Sequence, residues 1–300
     1  MSPSPAWRRT PRRAAPRPAA AAGSLTVHEL GGGDRQEALA FLGAPTLPAL
    51  IMAGFIRDNG VVSPLNRGTF YGCRGRGGRL EAVALIGHHM LVEARSHAAL
   101  SACACLAQGC RTAHVIMGER GQMGKFWGHY AGAGQSPRLL RRELLLEQRQ
   151  PVALSEPAGG LRLATADELR LVMPLQAEMA FEESGVNPLE SDPEGFERRC
   201  ARRIAQGRVW VWVERGRVIF KADVISATPQ AYYLEGVYTR PDERRKGYGL
   251  RCLSQLGRTL LGRTGALRLL VNERNLGARH FYRRAGYGFR GNYDTIFLQR

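Results

Sequence analysis

A chain of 300 residues and 33.0 kDa is long enough for two domains of ordinary size. Its 44% hydrophobic and 23% charged residues are globular proportions, and no run of about 18 apolar residues is present to make a membrane-spanning helix. The net charge of +17 invites a nucleic-acid reading, but it comes from 40 arginines against three lysines (Lys125, Lys221, Lys246), and the arginines are spread rather than clustered.

In chain order, residues 1–23 are mostly Arg, Pro and Ala without the apolar stretch of a secretory signal, and read as a disordered basic tail. Residues 24–150 form a first α/β domain. The sequence predicts helices over 34–42 and 47–59, strands over 69–74 and 80–87, a helix over 96–110, a strand over 111–117, a helical segment at 124–130, and a closing strand or helix near 139–147. The six cysteines are too sparse for a disulfide scaffold. Cys103, Cys105 and Cys110, between His97 and His114, contain no CxxC pair and read as small apolar residues of a helix, not as metal ligands. A reduced, cytoplasmic protein is expected.

Pro151, Pro157, Gly159 and Gly160 mark a linker over 151–160. Residues 161–300 are the more regular half. A strand at 161–164, helices over 167–183 and 194–206, and three strands over 208–214, 217–226 and 231–239 come first. A helix over 247–263, a strand at 267–271, a helix at 277–285 and a strand near 292–298 follow. This β-α-α-β-β-β-α-β-α-β order is an α/β layout around one mixed sheet.

The informative segment is 232–250. An apolar strand leads through Pro241 into Arg244, Arg245, Lys246, Gly247, Tyr248 and Gly249, and then a helix. Glycines at a helix N-terminus let successive backbone N–H groups approach an anion, and the helix dipole and neighbouring basic side chains add positive potential. Further on, Asn272 and Asn275 end a strand, Ala278, Phe281 and Tyr282 ride the next helix, and Gly286 and Tyr287 follow it.

The two segments together resemble the GNAT acetyltransferase superfamily, whose R/Q-x-x-G-x-G/A pattern binds the pyrophosphate of acetyl-CoA and whose N-x-x-A-x-x-F/L-Y-x-x-x-G-F/Y pattern follows on the next strand and helix. The resemblance covers about 161–300. It implies a C-terminal GNAT fold preceded by a diverged GNAT-like half that lacks RxxGxG, as in bacterial two-domain proteins. By the same resemblance, acetyl-CoA is the cosubstrate, with Arg244, Arg245, Lys246, Gly247, Tyr248 and Gly249 around the pyrophosphate. Val237 and Thr239 offer backbone N–H groups to the pantetheine arm and thioester oxygen, and Asn275 lies near that arm. Tyr282, expected near a helix start, matches the tyrosine that protonates the departing sulfur. Glu235 is the candidate base, on a strand face that period-two alternation would share among Tyr233, Glu235, Val237 and Thr239.

Five acids in Glu182–Glu194 offer either a solvated loop or negative charge for an ammonium substrate. The sequence reading is therefore an N-acetyltransferase acting on a small amine, peptide or protein lysine, with no membrane or nucleic-acid partner, as a monomer or homodimer. The alternatives on the same fold are transfer of a longer acyl chain, a non-catalytic acyl-CoA- or ligand-binding protein, and a tRNA-dependent aminoacyl transferase.

Overall fold

The computed structural model describes residues 25–153 and 156–299, so the expected tail at 1–23 and two linker residues lie outside the described residues. The chain passes through the same succession twice. The first round is β1 (Thr26–Glu29), α1 (Arg35–Phe41), α2 (Leu47–Asn59), β2 (Gly68–Arg74), β3 (Leu80–Gly87), β4 (His89–Ala94), α3 (His97–Ala107), β5 (Val115–Glu119), α4 (Arg120–Tyr130) and β6 (Pro137–Gln148). The second is β7 (Leu161–Leu163), α5 (Leu169–Ser184), a helical turn α6 (Pro188–Ser191), α7 (Pro193–Ala205), β8 (Val209–Glu214), β9 (Arg217–Ala227), β10 (Tyr232–Thr239), α8 (Tyr248–Leu261), β11 (Leu267–Asn272), α9 (Leu276–Arg284) and β12 (Gly288–Leu298).

Local chemistry sets most boundaries. Thr46 caps α2 by accepting from the Ala49 N–H at 3.3 Å, and Ser96 caps α3 by accepting from Ala99 at 3.2 Å. Arg215 and Gly216, with φ of 49° and 72°, form the two-residue turn that joins β8 to β9. The structure departs from expectation in four places. A further strand, β4, follows the expected strand at 80–87 after a break at His88. A short strand, β1, precedes the first helix. β5 begins at Val115, after a turn at 111–112. The link between the early helices of the second half contains α6.

One 12-stranded sheet runs β1-β2-β3-β4-β5-β12-β6-β11-β10-β9-β8-β7. The order is palindromic about the β12–β6 pair. The closing strand of each half has crossed into the other: β6 lies between β11 and β12, and β12 between β5 and β6. Leu146 of β6 is buried in the core under α8 and α9, while Ile296 and Leu298 of β12 are buried in the core under α3 and α4. Each such side chain contributes about 2 kcal/mol by leaving water.

A third core joins the halves, with α2 packed on Ile225, Ala231 and Tyr233 of the second half. Polar links reinforce it. Arg208 holds Asp58 through two hydrogen bonds of 2.6 Å, and Arg268 reaches Glu147 and the Pro45 carbonyl, each at 2.8 Å. No helix among the described residues is long and apolar enough to cross a membrane.

Candidate active site

The parallel pair β10–β11 is joined at only two positions, Tyr232↔Leu267 and Tyr233↔Arg268. Beyond Tyr233 the strands part, which leaves one edge of β10 open. Arg240 spends its N–H on the Ile219 carbonyl of β9 at 3.0 Å. By strand alternation the Thr239 N–H and C=O face the opening. Consistently, the Thr239 carbonyl accepts from Arg244 Nε at 3.0 Å.

β10 is not a regular strand. Its register against β9 runs Glu235↔Asp223 and then Tyr238↔Lys221, so β10 carries one extra residue. Gly236 sits in that bulge with φ of 61°, and a Cβ there would lie 2.8 Å from Lys221 Nζ. The bulge corrects the expected shared face. Glu235 and Tyr238 lie on the side of Asp223 and Lys221, whereas Val237 packs into the core under α8 and Thr239 Oγ1 lies where a Gly249 side chain would meet it. Lys221 is fully buried, paired to Asp223 at 2.7 Å and donating to Gln176 Oε1 of α5 at 2.6 Å. This buried pair, which sequence reading missed, fills the space beneath the bulge.

At the mouth of the opening, Arg244 to Gly249 form the turn into α8. Arg245 and Gly247 have φ of 64° and 88°, and Gly247 is the N-cap residue. Arg244, Arg245, Lys246 and Gly247 are exposed. The first-turn amides of α8 have no intrahelical acceptors, so an anion could be received there. Gly249 brings α8 close to β10, since a Cβ would lie 2.5 Å from Thr239 Oγ1. Tyr248 packs edge-on against Trp212, with Arg251 over its ring. The residues present therefore fit a pyrophosphate. Asn275 is the N-cap of α9, accepting from the Ala278 N–H at 2.9 Å.

Tyr282 lies in the second half of α9, not near its start as expected. It is 9% exposed, and burial raises its phenol above the ordinary value, so it stays protonated at neutral pH. Its ring meets Tyr287 edge-on at 5.9 Å.

On the other face of the sheet, Glu235 is open to solvent but crowded by the walls around it. That crowding and the charge of Glu183 push its carboxyl up to about 7. The neighbouring Tyr233 phenol and Arg203 favour its charged form, although Arg203 is itself paired to Asp223 at 3.0 Å. Glu183, at the end of α5, is raised in turn by crowding and by Glu143. Glu143 comes from β6. It is 5% exposed, accepts from Thr295 Oγ1 at 2.6 Å, and is also raised by burial.

Of the acidic run 182–194, Glu183 is the member that belongs to this cluster. Glu190 accepts from Asn187, Asp192 caps α7 and pairs with Arg199, and Glu194 pairs with Arg198. Sequence reading missed Glu143, and nothing local could have placed a residue of the first half beside Glu235.

The first half has the same parting strands. β4 and β5 pair only at His89↔Val115 and Met90↔Ile116. However, only Arg95 and Ser96 separate β4 from α3, so no phosphate-sized loop exists. The space between the strands, lined by Thr46, Glu93, Leu100, Glu119 and Met123, holds little more than a water molecule, about 10 Å³.

The site is thus a parallel strand pair that opens beside a glycine turn at a helix start. Residues 175–287 match the model of the family described as Acetyltransferase (GNAT) family, so the second half carries a GNAT domain. It is similar to a solved Drosophila protein (13% identity, 91% of this chain and 98% of that one, TM-score 0.65). A GNAT-family acetyltransferase from Colwellia psychrerythraea is similar at 10% identity over 92% and 100% of the two chains, TM-score 0.57. A tandem GNAT protein from the clavulanic acid biosynthesis pathway is similar at 12% identity over 91% and 98%, TM-score 0.57. At these identities the likeness is one of fold, and it extends over both halves. No curated protein matches the chain.

Proposed function

We propose that this protein is an N-acetyltransferase that moves the acetyl group of acetyl-CoA to a primary amine in a ternary complex, with its one donor site in the C-terminal half. The observation that carries the reading is the opening between β10 and β11 with the Arg244–Gly249 turn at its mouth and Glu235 beside it. Acetyl-CoA would supply an acetyl group activated as a thioester. Arg244, Arg245, Lys246 and the backbone of Gly247, Tyr248 and Gly249 hold the pyrophosphate end. The Val237 and Thr239 N–H groups orient the pantetheine arm and the acyl oxygen, and Asn275 borders that arm. Glu235, with its raised pKa, takes a proton from the acceptor ammonium, directly or through a water. Tyr282, held protonated, keeps a proton at Oη for the sulfur side.

The short β4–α3 connection supports a single working half. The acceptor would be a small amine, a peptide or a protein lysine. The test is calorimetric titration with acetyl-CoA, with longer acyl-CoAs and free tRNA as comparators. One acetyl-CoA site per chain and transfer to an amine are expected. Binding of tRNA without binding of any acyl-CoA would overturn the reading.

A further inference from the structure

Two of the three arginines of β6, Arg138 and Arg141, have partners in the other half of the protein. Arg141 Nη1 donates to the Glu183 carbonyl at 2.8 Å and to that of Glu182 at 3.4 Å, and Arg138 Nη2 donates to the Ser184 carbonyl at 2.5 Å. These are the last carbonyls of α5, which lack intrahelical donors and carry the negative end of the helix dipole. Arg141 Nε also lies 4.0 Å from Glu143 Oε1. One strand of the first half therefore grips the helix end that bears Glu183 and places a buried carboxylate, Glu143, next to it.

We propose that β6 is a wall of the acceptor site in the second half, with Arg138 and Arg141 as positioning residues that fix Glu183 opposite Glu235 and Glu143 as the residue that sets the charge between them. The inference rests on the acceptor site being where the proposed function puts it. It assigns the first half a job in the reaction of the second: without a donor loop of its own, it shapes the neighbouring site through its exchanged strand. The groups facing Glu235 come from every element around it: Tyr233 on β10, Asp223 on β9, Glu183 on α5, Arg203 on α7 and, through Glu183, Glu143 on β6. Only β6 belongs to the first half.

The experiment is a ¹³C-carboxyl titration of the full chain labelled at glutamate, with Glu183 and Glu235 assigned through Glu183→Gln and Glu235→Gln. It compares the parent with Arg141→Ala, Arg141→Lys and Glu143→Gln. Removing the Arg141 cation should move the Glu183 midpoint up. Removing the Glu143 charge should move it down. Arg141→Lys, which keeps the cation, should stay near the parent.

A merely loosened fold would relax the carboxylate toward its ordinary value, downward, in both variants, so the opposite signs separate positioning from damage. In parallel, acetylation of glycinamide and Nα-acetyl-lysinamide should show an acceptor KM raised about tenfold in Arg141→Ala, the scale of a lost charge-assisted hydrogen bond, with the KM for acetyl-CoA within about twofold. A Glu183 midpoint that is unchanged or lowered in Arg141→Ala would overturn the proposal. Absence of transfer by the parent would instead count against the proposed function, and the titration would still decide the role of β6.

Discussion

At the scale of single residues, the two groups proposed to handle protons, Glu235 and Tyr282, lie on opposite faces of one strand opening, and crowding around the first and burial of the second raise both pKa values. The shift suits Glu235 to the proposed role of base near neutrality and keeps the Tyr282 phenol protonated for the proposed role of acid. The base works in its charged form, so kcat/KM should rise with pH through about 7, not through the ordinary carboxylate range. The titration belongs to the Glu235–Glu183 pair as a unit. Glu235→Gln should flatten that limb and lower kcat by roughly 10²-fold or more, read from a pH–rate profile. Tyr282→Phe should leave acetyl-CoA affinity close to the parent and slow turnover by about 10²-fold, read by calorimetry and single-turnover kinetics. Gly247→Asp puts a carboxylate and a side chain at φ of 88°, where an L residue costs about 1–2 kcal/mol. Acetyl-CoA binding should be lost while the thermal transition shifts only modestly; undiminished affinity would show that the loop is not the donor site. Arg244 to Gly249, Asn275 and Tyr282 were legible in the sequence because they occur as two spaced patterns. Glu143 was not, because it reaches the cluster through a strand pairing that no local pattern records.

At the scale of elements, periodicity identified most of the second half and failed at defined places. The alternation of β10 breaks at Gly236, where one added residue turns Val237 and Thr239 away from the face of Glu235. A lone glycine in a strand hinted at a bulge but did not say which side each residue would take. β3 was expected at its observed bounds, but β4 was not, because its short, largely buried run shows no alternating pattern. α2 carries a different kind of constraint. Gly54 lies in mid-helix, where alanine would ordinarily gain about 1 kcal/mol. Here its Cβ would fall 2.9 Å from Ser226 Cβ and closer still to Ser226 Oγ, which donates to the Leu50 carbonyl at 2.8 Å. Overpacking costs about 1–3 kcal/mol, so the clash outweighs propensity. Gly54→Ala should lower the stability of the whole chain in a denaturant titration, and a stabilised variant would show that α2 stands off the sheet.

At the scale of the whole molecule, the linker at 151–160 joins halves that are successive in sequence but not separable in the sheet. The repeated element order was partly visible in the sequence as a similar α/β succession. The reciprocal placement of β6 and β12 was not, because an apolar strand encodes a buried position and not the identity of its neighbours. A polypeptide of residues 161–300 alone lacks the strand that joins β11 to β12. It should show no cooperative thermal transition by circular dichroism and should bind acetyl-CoA only when residues 25–160 are co-expressed. A monomeric, cooperatively melting fragment would contradict this. The same exchange has a consequence for synthesis. β12, residues 288–298, sits at the centre of the sheet and fills the gap between β5 and β6. The half that leaves the ribosome first must therefore wait, with its last strand unpaired, until the final strand of the other half has emerged. A stop codon or ribosome stall before residue 288 would thus disable both halves together, and the nascent chain would be most exposed to chaperones and proteases in the interval before β12 emerges.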